Sequence, residues 1–340
     1  MSRDIGIDLG TATVLVYVKG KGVVIEEPSV VAVDKESGKV LKVGKDAQLL
    51  LGRTPGNILA VKPLEDGVIS QYDITLKMLN YFIRKAVGTS VFKPRVMVCV
   101  PSGITEVEER AVYDATIAAG AKKTYLIEEP IAAAIGAGVD ISKPNGNLIV
   151  DVGGGTTDVA VISYGDIVTS ESVKMAGNKM DEAITKYIRH KYNVLVGERT
   201  SEEIKKQIGS AWPLEKEYIM DIKGRCLVEG LPKLVSVNSA EISGAVDSVV
   251  KAIVSAVLHV IERTPPELVG DIAANGIIMT GGGSLLYGLD RLIEHATGIR
   301  TYVAENPSTC VAVGTGRSLD NMQVLPEGTI NISRQRQQRL

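Results

Sequence analysis

The sequence contains two similar segments, one in each half of the chain. Residues 7–16 form an apolar stretch that leads through Asp8, Gly10 and a turn of small and Thr residues into a second apolar stretch. Residues 150–161 follow the same order, beginning with Asp151 and three consecutive glycines. A strand–turn–strand unit that recurs once in each half favours two similar α/β halves facing each other across a cleft.

The rest of the chain has the pattern of an α/β protein. Short β-branched runs alternate with helical periodicity, and they predict strands at residues 5–8, 14–18, 96–100, 148–151, 159–163 and 276–280. Thr105 and Glu108 form a capping box for one helix, residues 75–86 are amphipathic, and residues 246–261 form a longer helix that ends before Pro265.

Composition excludes several classes of protein. Hydrophobic residues make up 45% of the 340 residues and charged residues 23%, which argues against disorder. The net charge of −2 provides no basic field for nucleic acid. Cys99, Cys226 and Cys310 are scattered, as is typical of buried thiols in a reducing compartment. Since no apolar run approaches the roughly 18–20 residues of a membrane span and no signal peptide is evident, we expect a cytoplasmic protein.

The two glycine- and threonine-rich turns suit phosphate binding. Such turns present backbone N–H groups and hydroxyls to one point, and glycine leaves room for close approach. One turn alone is equally well explained as a tight hairpin. Two turns opposed across a cleft could hold a polyphosphate from both sides, with Asp8 and Asp151 near a divalent cation such as Mg²⁺.

A third glycine loop, residues 280–285, stands between a predicted strand and a predicted helix. A loop of this kind either serves packing or lets a ligand approach the helix N-terminus. It lacks the Gly-Lys-Ser/Thr of a Walker A loop and the Gly-x-Gly-x-x-Gly fingerprint of dinucleotide-binding proteins. The sequence therefore disfavours both of those classes.

Glu129 precedes a helix whose first predicted residue is Pro130. An acid at this position either interacts favourably with the helix dipole or carries out chemistry. In the second interpretation its carboxylate orients or deprotonates a water that attacks the γ-phosphate.

Taken in order, these segments resemble the motifs of the actin/Hsp70/sugar-kinase ATPase superfamily. Residues 8–13 and 151–158 resemble its two phosphate motifs, 126–138 and 305–316 its two connecting helices, and 280–285 its adenosine motif. The match is closest to the MreB family, with its Mbl and MreBH paralogues, to which segments 27–32, 53–57, 63–69 and 264–268 are also similar. The resemblance covers roughly residues 3–332. Thr13 stands where the family usually has Asn, and Asp158 where it often has Glu.

The resemblance implies an actin-like ATPase fold, in which two similar RNase H-like α/β halves surround a nucleotide cleft and each carries a smaller inserted subdomain. The implied boundaries are 1–32, 66–144 and 317–340 for subdomain IA, 33–65 for IB, 145–180 and 242–316 for IIA, and 181–241 for IIB.

The resemblance also implies the site residues for ATP or ADP and Mg²⁺. Glu129 would position the hydrolytic water, and Asp8 and Asp151 would hold Mg²⁺ through water. The residues implied to contact the nucleotide are Thr11, Ala12, Thr13, Gly153, Gly154, Gly155, Thr156, Glu202, Glu203, Lys205, Lys206, Gly282, Gly283, Ser284 and Leu285. A charged, solvated helix face is the other interpretation of the Glu202–Lys206 group.

The function implied is that of an ATP-dependent filament that determines bacterial cell shape by organising peptidoglycan synthesis. Its subunits would polymerise head to tail into antiparallel paired protofilaments on the inner face of the cytoplasmic membrane, with RodZ, MreC and MreD as partners and no nucleic acid. The alternatives are a plasmid-segregation actin, a sugar kinase or an Hsp70-like ATPase. We expect neither the acceptor-site insertion of a sugar kinase nor the peptide-binding domain of an Hsp70.

One short segment is a candidate for membrane contact. Val91 and Phe92 form an apolar pair with Lys85 and Lys93 on either side, and Phe92 is one of only two Phe residues in the chain. The pair either inserts into a bilayer or docks against the following strand.

Overall fold

Two central β-sheets, one in each half of the chain, organise the fold. The computed structural model describes residues 4–88 and 92–320. The elements of the first half are, in chain order, β1 (Ile5–Leu9), β2 (Thr13–Val18), β3 (Gly22–Pro28), β4 (Val31–Asp34), β5 (Val40–Val43), α1 (Lys45–Gln48), β6 (Ile58–Val61), β7 (Leu64–Glu65), β8 (Val68–Ile69), α2 (Tyr72–Val87), β9 (Arg95–Val100), α3 (Glu106–Ala118), β10 (Lys123–Glu128) and α4 (Glu129–Gly136).

The second half begins after a short connection that follows α4. Its elements are β11 (Asn147–Val152), β12 (Thr157–Ser163), β13 (Asp166–Val173), α5 (Gly177–Tyr192), β14 (Val194–Leu195), α6 (Glu198–Ile208), β15 (Ile219–Cys226), β16 (Pro232–Asn238), α7 (Ser239–Arg263), α8 (Pro266–Asn275), β17 (Ile277–Thr280), α9 (Leu289–Thr297), β18 (Thr301–Val303) and α10 (Cys310–Asp320). Short 3₁₀ turns at Gly282–Leu285 and Pro307–Thr309 precede α9 and α10.

The two central sheets have the same topology. The first has the strand order β10-β9-β1-β2-β3 and the second β13-β12-β11-β17-β18. In each sheet the first strand of the half pairs antiparallel with the next strand and parallel with a later one: β1 with β2 and β9, and β11 with β12 and β17. The repeat in the sequence is therefore a repeat of structure, and the α/β prediction is confirmed.

Each sheet has its own hydrophobic core. In the first half the sheet buries residues such as Ile7 and Val98 against α2 and α3, and in the second half α5 and α7 cover Val150 and Val161. These buried positions are mostly Val, Ile and Leu because strands covered on their faces by helices must be apolar.

Helices α4 and α10 pack against each other, and their core joins the two sheets. Their backbones approach so closely that a Cβ at Gly136 would overlap the Cys310 carbonyl and a Cβ at Gly314 the Ala132 carbonyl. Ile131 belongs to a cluster that includes Cys99 of the first sheet and residues of the second. Both segments resembling connecting helices thus lie at the junction, although the helices themselves begin only at Glu129 and Cys310.

Smaller sheets extend from both halves. Strands β4, β5 and β6 form one three-stranded sheet, and β14, β15 and β16 form another. The second lies within the segment that the resemblance assigns to subdomain IIB, whereas the first lies in that of IB except for Val31 and Ala32 of β4, which fall before its predicted start. The subdomain boundaries themselves stay a prediction.

The predicted elements are found, with differences at their ends. The Thr105–Glu108 capping box starts α3. Helix α7 begins at Ser239, well before residue 246, because Asn238 and Glu241 form a second capping box at its start.

Helix α7 is long and apolar enough to cross a membrane by length and composition, with a mean hydropathy of 1.7 over its most apolar window. It is the one helix in residues 4–88 and 92–320 with this property. Val246, Val250, Ile253 and Val257 on one face of α7 are buried in the core of the second half. Packing against its own sheet accounts for its apolar character.

Candidate functional site

A cleft of about 1250 Å³ lies between the two halves. The β1–β2 turn enters it from one side and the β11–β12 turn from the other, because both turns stand at corresponding ends of the two sheets. The sequence-predicted residues that line it are Asp8, Thr11, Ala12, Thr13, Glu129, Asp151, Gly153, Gly154, Gly155, Thr156, Glu202, Lys205, Lys206, Gly282, Gly283 and Leu285.

The two turns approach each other closely at their glycines. A Cβ on Gly154 would lie 2.5 Å from the Ala12 Cβ, and a Cβ on Gly155 would overlap Thr11. The Gly67 N–H donates a hydrogen bond of 2.8 Å to Thr11 Oγ1. The sequence patterns did not predict that the β7–β8 hairpin, which bears Gly67, belongs to the site. Its hydrogen bond nevertheless orients the Thr11 hydroxyl in the cleft.

The third glycine loop forms another wall of the cleft. Gly281 has φ +79°, and a Cβ there or on Gly283 would collide with Val152. Ser284, by contrast, is buried, and its hydroxyl donates 2.6 Å to the Gly281 carbonyl. Gly282 and Gly283 line the cleft, and the Ser284 hydrogen bond stabilises the turn that contains them.

Helix α6 places one of its faces in the cleft. Glu202, Lys205 and Lys206 lie there, whereas Glu203 is exposed and accepts a hydrogen bond from Gln207. Lys205 Nζ donates to the Gly177 carbonyl at 2.9 Å and pairs with the Asp181 carboxylate at 2.9 Å. Residues one apart on a helix point in different directions, which separates Glu203 from its neighbour.

The N-terminus of α5 supports the second phosphate turn. Its N–H groups at Gly177 and Asn178 donate to the carbonyls of Gly153 and Gly154, at 3.1 and 2.8 Å. Gly177, Asn178 and Asp181 line the cleft as well, but they were not among the predicted site residues. The Gly-Asn pair at the start of an amphipathic helix is the sequence signal that could have identified them.

Partly or fully buried carboxyl groups cluster at the base of the cleft. Burial and the charge of Asp151 raise the pKa of Asp8 to about 7, although a contact with Cys99 opposes the shift. Burial raises the pKa of Asp151 to about 6, against the effect of a 2.6 Å hydrogen bond from Thr280. Removal from water, followed by the charges of Asp158, Asp8 and Asp151, holds the pKa of Glu129 well above its ordinary value.

This acidic cluster fits a hydrated divalent cation. In the described ranges 4–88 and 92–320, no three His, Cys, Asp or Glu side chains are arranged to hold a metal ion directly. Asp8 and Asp151 nevertheless face the cleft with raised pKa values, which a nearby positive charge would relieve. Oxygen ligands that act partly through water are what Mg²⁺ prefers.

The raised pKa of Asp8 predicts a pH-dependent cost to stability. Between an ordinary pKa of 3.8 and the folded value of about 7, the folded protein binds more protons than the unfolded chain. Stability therefore falls as the pH rises through this window, by at most about 1.4 kcal/mol per pH unit. In urea unfolding without nucleotide, we expect Asp8→Asn to be more stable than wild type at pH 8, with the difference shrinking towards pH 5. A difference that grows as the pH falls would contradict this prediction.

Phe92 of the predicted membrane-contact pair does not line the cleft. Phe92 is 65% exposed, which disagrees with docking of its ring in the core. Val91 lies outside the described residues.

Comparison with known proteins identifies relatives along nearly the whole chain. The family model for MreB/Mbl protein matches residues 2–327. The cell shape-determining protein Mbl of Bacillus subtilis is 54% identical over 327 residues, which cover 96% of this chain and 98% of Mbl. The cell shape-determining protein MreB of Escherichia coli is 50% identical over 325 residues, 94% of each chain.

Solved structures agree with the fold. MreB5 of Spiroplasma citri bound to ADP has a TM-score of 0.90 at 40% identity, covering 95% of this chain and 98% of its own. The same protein bound to AMPPNP gives the same TM-score. The MamK double helical filament, at 18% identity and a TM-score of 0.79 over 94% of this chain and 99% of its own, shares the fold. The actin-like fold expected from the sequence is confirmed, and the chain belongs to the MreB/Mbl family.

Proposed function

We propose that the cleft binds ATP and hydrolyses it to ADP and phosphate. The observation that carries this proposal is the contact between the two phosphate turns, at Gly154 and Ala12, beside an acidic cluster. Backbone N–H groups of both turns would hold the β- and γ-phosphates from opposite sides. The ADP and AMPPNP bound by MreB5 support a nucleotide as the ligand.

Different residues of the cleft would have different roles in hydrolysis. Glu129, whose proton affinity is raised, would accept a proton from the water that attacks the γ-phosphorus, as the bond to the β-phosphate oxygen breaks. Asp8 and Asp151 would hold the water shell of Mg²⁺, whose charge offsets that of the phosphates. Thr11, whose hydroxyl oxygen accepts a hydrogen bond from the Gly67 N–H, would donate a hydrogen bond from that hydroxyl to a phosphate oxygen.

The nucleoside would lie between α6 and the third glycine loop. Glu202, Lys205 and Lys206 would contact the ribose and base, and Gly282, Gly283 and Leu285 the adenosine and α-phosphate. Glu203 and Ser284 would not contact the nucleotide, because Glu203 faces solvent and the Ser284 hydroxyl is hydrogen-bonded inside its turn.

ATP binding would control polymerisation into filaments that determine cell shape. The names of Mbl and MreB, each called a cell shape-determining protein, support this role. Head-to-tail contacts between subunits would produce open polymers, and hydrolysis would change those contacts. We further propose that paired filaments lie on the inner face of the cytoplasmic membrane, attached through Phe92, and direct peptidoglycan synthesis with RodZ, MreC and MreD.

Electron microscopy of negatively stained protein on lipid monolayers tests this function. With Mg-ATP we expect paired filaments on the lipid, and without nucleotide none. A Phe92→Ala variant should form filaments in solution but leave the lipid bare, because it loses the exposed aromatic ring. Tyr164→Ala, which removes a ring 67% exposed on another loop, is the matched control. Unchanged lipid coverage by Phe92→Ala would refute the proposed attachment, and ATP hydrolysis by dispersed monomers would favour a kinase or chaperone-like ATPase.

A further inference from the structure

Asp158 lies at the base of the cleft but does not line it. It stands on β12 directly opposite Asp151 of β11, so the two side chains share one face of the second sheet. Its side chain is fully buried. A carboxylate in such a place needs a partner of its own, because burying an unpaired charge is costly.

The partner comes from the other half of the molecule. The backbone N–H of Ser102, in the loop that follows β9 of the first sheet, donates a 2.9 Å hydrogen bond to Asp158 Oδ1. This buried bond connects the strand that leaves one phosphate turn with the first half. Hydrogen bonds to charged groups are among the stronger ones in proteins.

Residues that neighbour this hydrogen bond in sequence are closely packed. A Cβ on Gly67 would lie 2.8 Å from Pro101 Cγ and 3.1 Å from Thr156 Cγ2, so three separate segments meet there. The junction formed by Gly67, Pro101, Ser102, Thr156 and Asp158 contains residues of both halves next to both phosphate turns. A change in the distance between the halves must therefore disturb it.

The second oxygen of Asp158 has weaker partners. Among the described residues, Oδ2 receives no hydrogen bond of normal geometry, and neither does the buried hydroxyl of Ser102 find a partner. The hydroxyls of Ser172 and Thr156 lie close enough to lower the pKa of Asp158, although burial raises it to about 7 overall. The well-formed interaction of this carboxyl group is thus the one to the Ser102 amide.

We propose that Asp158 is a positioning residue that holds the two halves in register through its hydrogen bond to the Ser102 N–H. Glu129 belongs to the first half, whereas the Gly153–Thr156 turn belongs to the second. The bond fixes the carboxylate of Glu129 relative to a phosphate held by that turn. This inference rests on the proposed hydrolysis, but the hydrogen bond itself can be measured without nucleotide.

Three variants distinguish the effect of the hydrogen bond on hydrolysis from the effect of the Asp158 charge and from an effect on folding. Asp158→Ala removes the acceptor, Asp158→Asn keeps an oxygen acceptor without the charge, and Ser102→Ala removes the unpartnered hydroxyl but leaves the N–H. We expect Asp158→Ala to slow single-turnover ATP hydrolysis by about tenfold or more. ADP affinity should stay within about threefold of wild type, because its contacts lie in the turns. Asp158→Asn and Ser102→Ala should retain most of the rate.

Hydrogen–deuterium exchange of nucleotide-free protein gives the independent readout. The Ser102 amide should be protected in wild type, Asp158→Asn and Ser102→Ala, and should exchange faster in Asp158→Ala. An Asn variant as slow as the Ala variant would overturn the inference in favour of a charge effect. Parallel losses of ADP binding and hydrolysis, or unchanged protection in Asp158→Ala, would overturn it too. Wild-type protein that shows this protection but no hydrolysis would instead refute the proposed function.

Discussion

Replacing Glu129 with Gln is expected to slow ATP hydrolysis by roughly 100-fold or more while leaving nucleotide binding nearly unchanged. Gln has the same shape but cannot accept a proton from water. Burial and three neighbouring carboxyl groups raise the proton affinity of Glu129, and this shift suits a general base near neutral pH. The measurement is phosphate release in single-turnover reactions, beside titration of the protein with a fluorescent ADP analogue.

Glu203→Gln is the matched control for this variant. Glu203 carries the same charge, but it faces solvent on α6, does not line the cleft, and accepts a hydrogen bond from Gln207. Its substitution should change neither the rate nor the affinity. If Glu129→Gln and Glu203→Gln hydrolysed ATP equally fast, Glu129 would have no role as the base. A proportional loss of ADP binding in Glu129→Gln would indicate that the carboxyl group serves the architecture of the cleft instead.

Gly154→Ala is expected to weaken nucleotide binding by roughly 10- to 100-fold, since overpacking a close contact costs about 1–3 kcal/mol. The added methyl group would lie 2.5 Å from the Ala12 Cβ, so the two phosphate turns would have to move apart. The phosphates would then lose contacts on one side. Affinity for ADP and for a non-hydrolysable ATP analogue measures the effect.

Two further substitutions test whether contact between the two turns causes the loss of affinity in Gly154→Ala. Ala12→Gly removes the methyl group that the new side chain meets, so the double variant Ala12→Gly/Gly154→Ala should recover most of the affinity. Gly270→Ala adds a methyl group to a glycine of α8 that does not line the cleft, and the added Cβ has open space around it. A failure of the double variant to recover, or an equal loss in Gly270→Ala, would show that contact between the turns is not the cause of the lost affinity.

The sequence alone determined the elements of the fold and the kind of site. Apolar runs of two-residue period, capping boxes and prolines act within a few residues, so they specify strands and helix ends locally. The repeat around Asp8 and Asp151 also predicted the architecture. Two copies of one sequence pattern indicated two similar halves, and the two central sheets do have the same strand order. The glycines of both turns were recognised as site residues for the same reason.

Tertiary structure decided which side chains face the cleft and which segments meet there. Glu202 and Glu203 are chemically alike, yet the packing of α6 places only the first in the cleft. Ser284 is part of a motif in the sequence but lies buried within its turn. The contact between Ser102 and Asp158 joins residues that are far apart in the chain. Such contacts depend on how two cores and the α4–α10 junction pack together, and no local pattern carries that information.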